Sequence, residues 1–292
     1  MSNGNVLAVI GGSGLYEIEG LSSVTELRPA TPYGKPSDAI MKGEIEGVTL
    51  LFLPRHGRGH TLPPHAINYR ANICALKMAG ATHLVTVSAV GSMKEQIHPG
   101  ELVVVDQFID LTKRRISTFF DEGVAAHVSF SDPVCKEMAA ALGAAAERAG
   151  GKVHRGGTYV CIDGPQFSTR AESLVYRSWG VSVIGMTGMP EAKLAREAEL
   201  PFATLALATD YDCWHESEAD VSVDAVVTVV RKNAALACRT IVEIAKALPP
   251  ASASRASGAL KHAIMTAPDA VSTETRDTLG WLVGRYVSFP SR

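Results

Sequence analysis

Short apolar runs recur along the chain, separated by turns rich in glycine, proline and small polar residues. A short run of apolar residues without alternation is typical of a strand buried on both faces, as in a parallel sheet. Six segments have this pattern: Val6–Ile10, His83–Val87, Glu101–Ile109, Thr158–Ile162, Val181–Ile184 and Phe202–Ala208. Another segment, Gly43–Leu53, alternates before it becomes apolar, which predicts a hairpin or paired strands.

Segments with helical features follow several of these runs. The predicted helices span Asn68–Gly80, the alanine-rich Pro133–Gly150, a segment opened by the capping box Thr169-x-x-Glu172, a segment with Pro190 in its first turn, Val223–Leu248 and Ser272–Val287. Strands and helices in this order predict an α/β fold: a single domain, residues 1–292, with a central mixed, largely parallel β-sheet flanked by helices. Residues 249–259 are linker-like.

Composition narrows the functional classes. The chain has 292 residues, 46% of them hydrophobic, and a net charge of −2. This composition favours a well-filled core and gives no basic field for nucleic acid or an anionic membrane. No run is long enough to span a bilayer, and we expect no signal peptide because the N-terminus enters a strand pattern at once. Five scattered cysteines without a CxxC motif favour free thiols and a cytoplasmic location.

Two aspartates, Asp210 and Asp212, follow the apolar run that begins at Phe202. Open α/β sheets bind ligands at the carboxyl ends of their strands, so this position favours a site. If the chain is still extended there, both carboxylates lie on one side, and their proximity raises the pKa of one of them. Two solvated turn carboxylates remain the alternative interpretation.

Other strand ends carry residues suited to an anion. Gly11-Gly12-Ser13-Gly14 follows the first strand and offers backbone N–H groups, although an empty tight turn fits equally well. The dinucleotide pattern GxGxxG is excluded because position 17 is Glu17. Arg55, His56 and Arg58 follow another strand and offer charge-assisted donors. The histidines nearby do not predict a metal site, since glycines and prolines prevent a helix that would present them together.

Three further segments have positions typical of a ligand site. Ser88 and Ala89 begin a small-residue turn at a strand end, where a ligand can approach the backbone. Phe167 and Ser168 lie at a strand-to-helix corner, and Met186 follows another strand, where core packing is the alternative role. Residues 110–132 form a long irregular stretch, of a length that is usually functional or covered by a partner.

With these segments in view, the chain resembles the trimeric purine nucleoside phosphorylase family, and most of all its 5′-methylthioadenosine phosphorylase branch. The resemblance lies in VIGGSGLY, TPYGKPSD, LPRHGRGH, NYRANICALK, VTVSAVGSM, PGELVVVDQFID, IDGPQFSTRAES, GMTGMPEA, ATDYDCWH and VSVDAV. These segments span residues 6 to about 245 in the family's order, and the tail from about 249 is poorly matched. The resemblance implies a nucleoside phosphorylase fold and phosphorolysis, in which orthophosphate replaces a purine at C1′ of a ribosyl ring.

The resemblance also implies roles for individual residues. Phosphate would be held by Ser13, Arg55, His56, Ser88, the Ala89 backbone and Thr187. Met186 would pack on the sugar, and Phe167 with Ser168 would line the base and sugar pocket. Asp210 would stabilise N7 as the catalytic residue, and Asp212 with it would accept the 6-amino group. Val223 and Val226 would line a 5′-methylthio pocket, and His127 would come from a neighbouring subunit.

The resemblance further implies an enzyme that acts on a small-molecule nucleoside as a homotrimer, with a dimer of trimers as the alternative. It would need no metal or cofactor, and orthophosphate would be a co-substrate. A carboxylate pair accepts a 6-amino group and repels a 6-oxo group, so the pair favours adenine. The segment GMTGMPE instead resembles branches that use 6-oxopurines. A 6-oxopurine nucleoside or methylthioinosine phosphorylase is therefore the alternative, and a non-catalytic nucleotide-binding module on the same fold is a remote one.

Overall fold

The computed structural model describes residues 4–12, 15, 20–215 and 223–287, and within 223–232 it describes the side chains of Val227 and Val229 alone. The predicted phosphate residue Ser13 lies outside these residues. So do the side chains of Val223 and Val226, which were predicted to line a 5′ pocket.

The described strands form one sheet of eleven. They are β1 Val6–Gly11, β2 Ser22–Leu27, β3 Ile40–Ile45, β4 Val48–Pro54, β5 His83–Ser92, β6 Leu102–Val104, β7 Gln107–Asp110, β8 Val153–Arg155, β9 Thr158–Cys161, β10 Val183–Gly185 and β11 Phe202–Asp210. Their order is β2-β3-β4-β1-β5-β10-β9-β7, with β11 also paired to β5, then β6 and β8. Six of the ten pairings are parallel, so the predicted mixed, largely parallel sheet is confirmed.

Strand β5 is the branch point of the sheet. It pairs in parallel with β1 through His83–Thr86 and with β11 through Leu84–Gly91, and its last two residues, Gly91 and Ser92, pair antiparallel with β10. Because β4, β1, β5 and β11 all run parallel, their carboxyl ends meet at one edge. That edge brings Gly11, Arg55, Ser88 and Asp210 into one region although they are far apart in sequence.

The helices differ from the predictions mainly at their ends. They are α1 Tyr69–Met78, α2 Lys136–Arg148, α3 Arg170–Ser178, α4 Gly188–Glu197, α5 Val223–Ala245 and α6 Thr273–Val283. The capping box of Thr169 and Glu172 is present at α3, as predicted. Helix α2 begins at Lys136 and not at Pro133, because Cys135 has extended backbone angles.

One predicted strand is in fact two. Residues 101–109 were expected to form one strand, but the chain breaks at Val105–Asp106 into β6 and β7. Strand β6 pairs with β11 and β8, whereas β7 pairs with β9. The break lets one apolar segment serve two branches of the sheet. Strand β2 was not predicted, because it is a largely exposed edge strand without an apolar run.

Two regions without strands complete the fold. Residues 111–135 contain no helix or strand, as the irregular stretch predicted, and touch the tail through an isolated bridge between Ala126 and Ile264. The tail packs into the same core as the sheet through Leu260, Leu279 and Leu282. No helix within the described residues is long and apolar enough to cross a membrane.

Candidate active site

A cavity of about 840 Å³ opens at the edge where the carboxyl ends of the strands meet. Ten of the predicted site residues line it: Arg55, His56, Ser88, Ala89, Phe167, Ser168, Met186, Thr187, Asp210 and Asp212. Val227 and Ala234 of α5 line it as well, next to the predicted Val223 and Val226. His127 does not; it is exposed, and its backbone N–H donates to Ala263 O. A contribution of His127 from a second subunit stays a prediction.

Arg55 at one end of the cavity is buried and held in a fixed orientation. Its side chain is 2% exposed, and its Nε and Nη2 donate to the carboxylate of Glu191 at 2.6 and 2.9 Å. Nη1 donates to Val87 O at 2.8 Å, and Nη2 also donates to Ile10 O at 3.3 Å. A guanidinium has five N–H donors. Within the described residues these four bonds leave one Nη1 hydrogen without a partner, and Arg55 lines the cavity.

Glu191 is the functional neighbour that sequence reasoning missed. It is 1% exposed and lies 136 residues from Arg55 in the chain. Burial alone would lower the pKa of Arg55, but the Glu191 carboxylate raises it above its ordinary value. The only sequence signal was an acid in the first turn of a predicted helix, which is more often explained by the helix dipole.

His56 differs from its predicted role as a charged donor. Burial and the neighbouring Arg55 lower the pKa of His56 to about 4, so the ring is neutral near pH 7. Its Nδ1 lies 2.8 Å from Leu62 O, and because a carbonyl only accepts, Nδ1 carries the proton and Nε2 is an acceptor. The ring stacks on His60, with centroids 4.1 Å apart. Arg58 lies outside this group and pairs with Glu26 at the surface.

Small hydroxyl residues line the cavity near Arg55. Ser88 Oγ and, farther along, Ser168 Oγ are buried and make no hydrogen bond within the described chain. Thr187 sits at the N-cap position of α4, yet its side chain makes no capping bond. Buried hydroxyls are normally satisfied, so these groups suit a polar ligand. Ser88, Thr187 and the Nη1 hydrogen of Arg55 that has no partner among the described residues give this end of the cavity its hydrogen-bond donors.

Asp210 and Asp212 lie at the opposite end, in a geometry that corrects one expectation. The chain is not extended at Asp212, whose φ is +53°. The turn lets Asp212 N donate to Asp210 Oδ1 at 2.8 Å, while Asp210 Oδ2 accepts from Thr209 Oγ1 at 2.7 Å. Asp212 Oδ2 accepts from Ser173 Oγ at 2.5 Å. The carboxylates therefore approach each other through a turn and not through strand alternation.

Both carboxyl groups of the pair have raised pKa values. Burial raises the pKa of Asp210, and burial together with Asp210 raises the pKa of Asp212. Within the described residues no cationic side chain lies within 4 Å of either carboxylate. Gly91 makes room for the pair, since a Cβ there would lie 3.0 Å from Asp210 Oδ1. The predicted pKa rise thus affects both groups, and desolvation is its first cause.

Met186, Phe167 and Ile184 give the middle of the cavity an apolar wall. Phe167 is 46% exposed, and such a large aromatic side chain at a cavity mouth suits stacking on a flat ligand. Met186 lies so close to Gly164 that a Cβ at position 164 would meet its Sδ at 2.4 Å. A donor-rich end, an apolar middle and a carboxylate end thus lie in one cavity.

Comparison with known proteins places the chain in a family. Residues 6–246 match the model of the phosphorylase superfamily. The chain is 54% identical over 283 residues to an S-methyl-5′-thioadenosine phosphorylase of Geobacter sulfurreducens, covering 97% of this chain and 99% of that one. It is 51% identical over 280 residues to the enzyme of the same name from Koribacter versatilis, covering 96% of each chain.

Solved structures give the same result. A methylthioadenosine phosphorylase from an antarctic soil metagenomic library superposes with a TM-score of 0.90 at 49% identity, covering 96% of this chain and 99% of that one. Methylthioadenosine phosphorylase from Schistosoma mansoni, solved in complex with adenine, superposes with a TM-score of 0.79 at 36% identity, covering 82% and 90%. At 49% and 36% identity, the chain is similar to these two proteins in sequence as well as in fold.

Proposed function

The chain belongs to the phosphorylase superfamily, and on this premise we propose that it is a pentosyltransferase that cleaves S-methyl-5′-thioadenosine with orthophosphate. The products are adenine and 5-methylthioribose 1-phosphate. The observation that carries the proposal is the cavity itself, with donors at the Arg55 end and the Asp210–Asp212 pair at the other. Relatives about 50% identical over nearly the whole chain carry the corresponding name.

Orthophosphate binds at the Arg55 end. The remaining Nη1 hydrogen of Arg55 and the hydroxyls of Ser88 and Thr187 donate to its oxygens. His56 contributes differently, because its neutral Nε2 accepts the hydrogen of a monoprotonated phosphate. The Ala89 backbone and Ser13 belong to the same predicted set. Glu191 holds the Arg55 fork before phosphate arrives, so little reorganisation is left for binding.

The purine binds at the other end. Asp210, whose pKa is raised by burial, donates a proton to N7 as the C1′–N9 bond breaks. The electrons of that bond move into the purine, a phosphate oxygen forms the new bond to C1′, and Asp210 regains a proton from solvent. Asp212 accepts an N–H of the 6-amino group, Met186 and Ser168 contact the sugar, and Phe167 stacks on the base.

The 5′-methylthio group faces α5. Val227 lines the cavity. The proposed apolar pocket also includes Val223 and Val226, whose side chains lie outside the described residues. Burying a thiomethyl group favours this substrate over a 5′-hydroxyl by about 1–3 kcal/mol. His127 approaches the same pocket from a second subunit.

The proposed assembly is a homotrimer located in the cytoplasm. Its interface includes apolar side chains that a lone subunit leaves exposed, namely Phe167, Leu174, Val175 and Trp179. These residues lie on or beside α3, next to the cavity. The five cysteines, all within the described residues, form no disulfide, which agrees with a reducing compartment.

A substrate panel tests the reaction. The purified protein should release adenine from methylthioadenosine only when phosphate is present, with higher kcat/KM than for adenosine, inosine or methylthioinosine. Faster cleavage of inosine or methylthioinosine would establish the 6-oxopurine alternative, which the segment Gly185–Glu191 motivates. Tight adenine binding without turnover under any phosphate concentration would instead support a non-catalytic binding module.

A further inference from the structure

Arg115 belongs to the irregular segment 111–135, yet its side chain is only 1% exposed. Its Nε lies 3.7 Å from Asp163 Oδ1, too far for a hydrogen bond. A buried guanidinium is costly unless its N–H groups are satisfied. In Arg115 they are satisfied mainly by backbone carbonyls, which indicates that the side chain holds backbone segments in place.

The carbonyls come from two strand exits beside the cavity. Nη1 donates to Met186 O and Met189 O, each at 2.6 Å, between β10 and the body of α4. Nη2 donates to Asp163 O at 2.8 Å and to Ile162 O at 3.4 Å, directly after β9. The planar fork therefore joins the segment that carries Met186 to the segment that leads to Phe167 and Ser168.

A third segment is joined through a tyrosine. Nη1 of Arg115 also donates to Tyr69 Oη at 3.1 Å, and the guanidinium lies 5.4 Å from the centre of the Tyr69 ring. Tyr69 Oη in turn donates to Pro64 O at 2.9 Å. Pro64, Ile162 and Met186 all line the cavity. One side chain outside the cavity thus ties together three pieces of its wall.

We propose that Arg115 is a positioning residue for the nucleoside half of the cavity; this inference rests on the proposed function. It fixes the spacing between the Met186 wall and the Phe167–Ser168 wall, and it does so without touching the substrate. Lysine cannot replace it, because a single ammonium group lacks the planar fork that reaches both strand exits. The phosphate end depends on Arg115 only through Thr187, which lies between Met186 and Met189, because Arg55 is held separately by Glu191.

The test compares Arg115→Lys and Arg115→Met with Arg114→Met, a matched variant at an exposed neighbour. Misplacement of a binding wall by about 1 Å costs on the order of 10²-fold. We therefore expect kcat/KM for methylthioadenosine to fall about 10²-fold in Arg115→Met and about 10-fold in Arg115→Lys, chiefly through KM for the nucleoside. The KM for phosphate should rise less than the KM for the nucleoside, because Thr187 is only one of several proposed phosphate ligands, and Arg114→Met should match the wild type.

Adenine affinity gives a second readout that does not require turnover. It should weaken in both Arg115 variants while the unfolding transition of Arg115→Lys stays cooperative; if Arg115→Met does not fold, Arg115→Lys decides alone. An unchanged nucleoside KM in Arg115→Lys, or equal losses for nucleoside and phosphate, would overturn the inference. A wild-type protein without phosphorolysis would refute the proposed function instead, and the two failures are thus distinguishable.

Discussion

The two ends of the cavity handle buried charge in opposite ways. At one end the Arg55 guanidinium is paired through two hydrogen bonds with Glu191, and both side chains are almost fully buried. At the other end Asp210 and Asp212 share a turn and have no cationic partner within the described residues. The Arg55–Glu191 pair has no net charge before a ligand arrives. The Asp210–Asp212 pair has no cation beside it within the described residues, so binding a proton is what lowers its negative charge.

This difference explains what each end can do. A compensated pair keeps its geometry and offers a fixed donor, which suits an anion that must be held below a reacting carbon. An uncompensated carboxylate pair in a desolvated site has raised pKa values and can store a proton. It can therefore give that proton to a leaving base and accept N–H groups from the same base. Fixed donors for an anion and an acid beside the leaving base both serve the proposed phosphorolysis.

The largest expected effect comes from removing the cation of the compensated end. Arg55→Met should lower kcat/KM for phosphate about 10³-fold, because an oriented charged donor is lost. It should also lower the free energy of unfolding by about 3–5 kcal/mol, because Glu191 is left buried without its partner. Steady-state kinetics at varied phosphate and urea unfolding measure the two effects.

The double variant Arg55→Met with Glu191→Gln separates these effects. It removes the orphaned carboxylate, so most of the lost stability should return while the loss of turnover remains. If stability does not return, the pair is not the reason for the instability of the single variant. If turnover returns, Arg55 is not a phosphate ligand.

A smaller effect is expected at the uncompensated end. Asp210→Asn should lower kcat about 10²-fold, because the amide cannot transfer a proton to N7. In the wild type the active form is the protonated acid, so kcat should fall as the pH rises through the raised pKa of Asp210. The asparagine variant should lack this limb of the pH profile, and a retained limb would assign the titration to another group.

Asp212→Asn is the matched variant for that experiment. It keeps Asp210 and its hydrogen bond from the backbone N–H of residue 212. Turnover of methylthioadenosine should fall less than in Asp210→Asn, and the preference should shift toward 6-oxopurines by about tenfold, because an amide can donate to a 6-oxo group. An unchanged ratio would remove Asp212 from base recognition.

The features of the cavity that depend on local sequence pattern, namely the strands and their carboxyl ends, were predicted from the sequence. Apolar runs identified the strands that carry Arg55, Ser88 and Asp210, and the rule that parallel strand ends share an edge brought them together. The partners of these residues could not be predicted in the same way. Glu191 reaches Arg55 across 136 residues, and Arg115 meets Met186 across 71. Such contacts depend on how the elements pack, and neither residue carries a local pattern that names its partner.

Local geometry and charge state were also beyond the sequence. Alternation put Asp210 and Asp212 on one side of an extended chain, but a positive φ at Asp212 produces the contact instead. His56 was expected to be a charged donor, yet burial next to Arg55 keeps it neutral. Both corrections come from desolvation and backbone conformation, which a residue pattern does not encode.

Glu197 lies on the same helix as Glu191 but does not line the cavity. It shows how a buried carboxylate without a cationic partner affects the free energy of unfolding. Its carboxylate is buried and accepts hydrogen bonds from Phe119 N and Thr118 Oγ1, both at 2.7 Å, but has no ion-pair partner within the described residues. Burial raises the pKa of Glu197 from 4.5 to about 7. Folding therefore favours the protonated form of this carboxyl group.

We expect Glu197→Gln to remove a pH dependence of stability with little change in turnover. Since the folded pKa is raised, the wild type is most stable below the unfolded pKa of 4.5 and loses about 3 kcal/mol as the pH rises to about 7. Glutamine can accept from Phe119 N and donate to Thr118 Oγ1, so both hydrogen bonds persist without the charge. Unfolding free energies of both proteins from pH 5 to pH 8 should diverge in favour of the variant as the pH rises. If the unfolding free energies of the two proteins instead change in parallel with pH, the ionised carboxylate of Glu197 does not destabilise the fold. The lack of a cationic partner would then not distinguish Glu197 from Glu191.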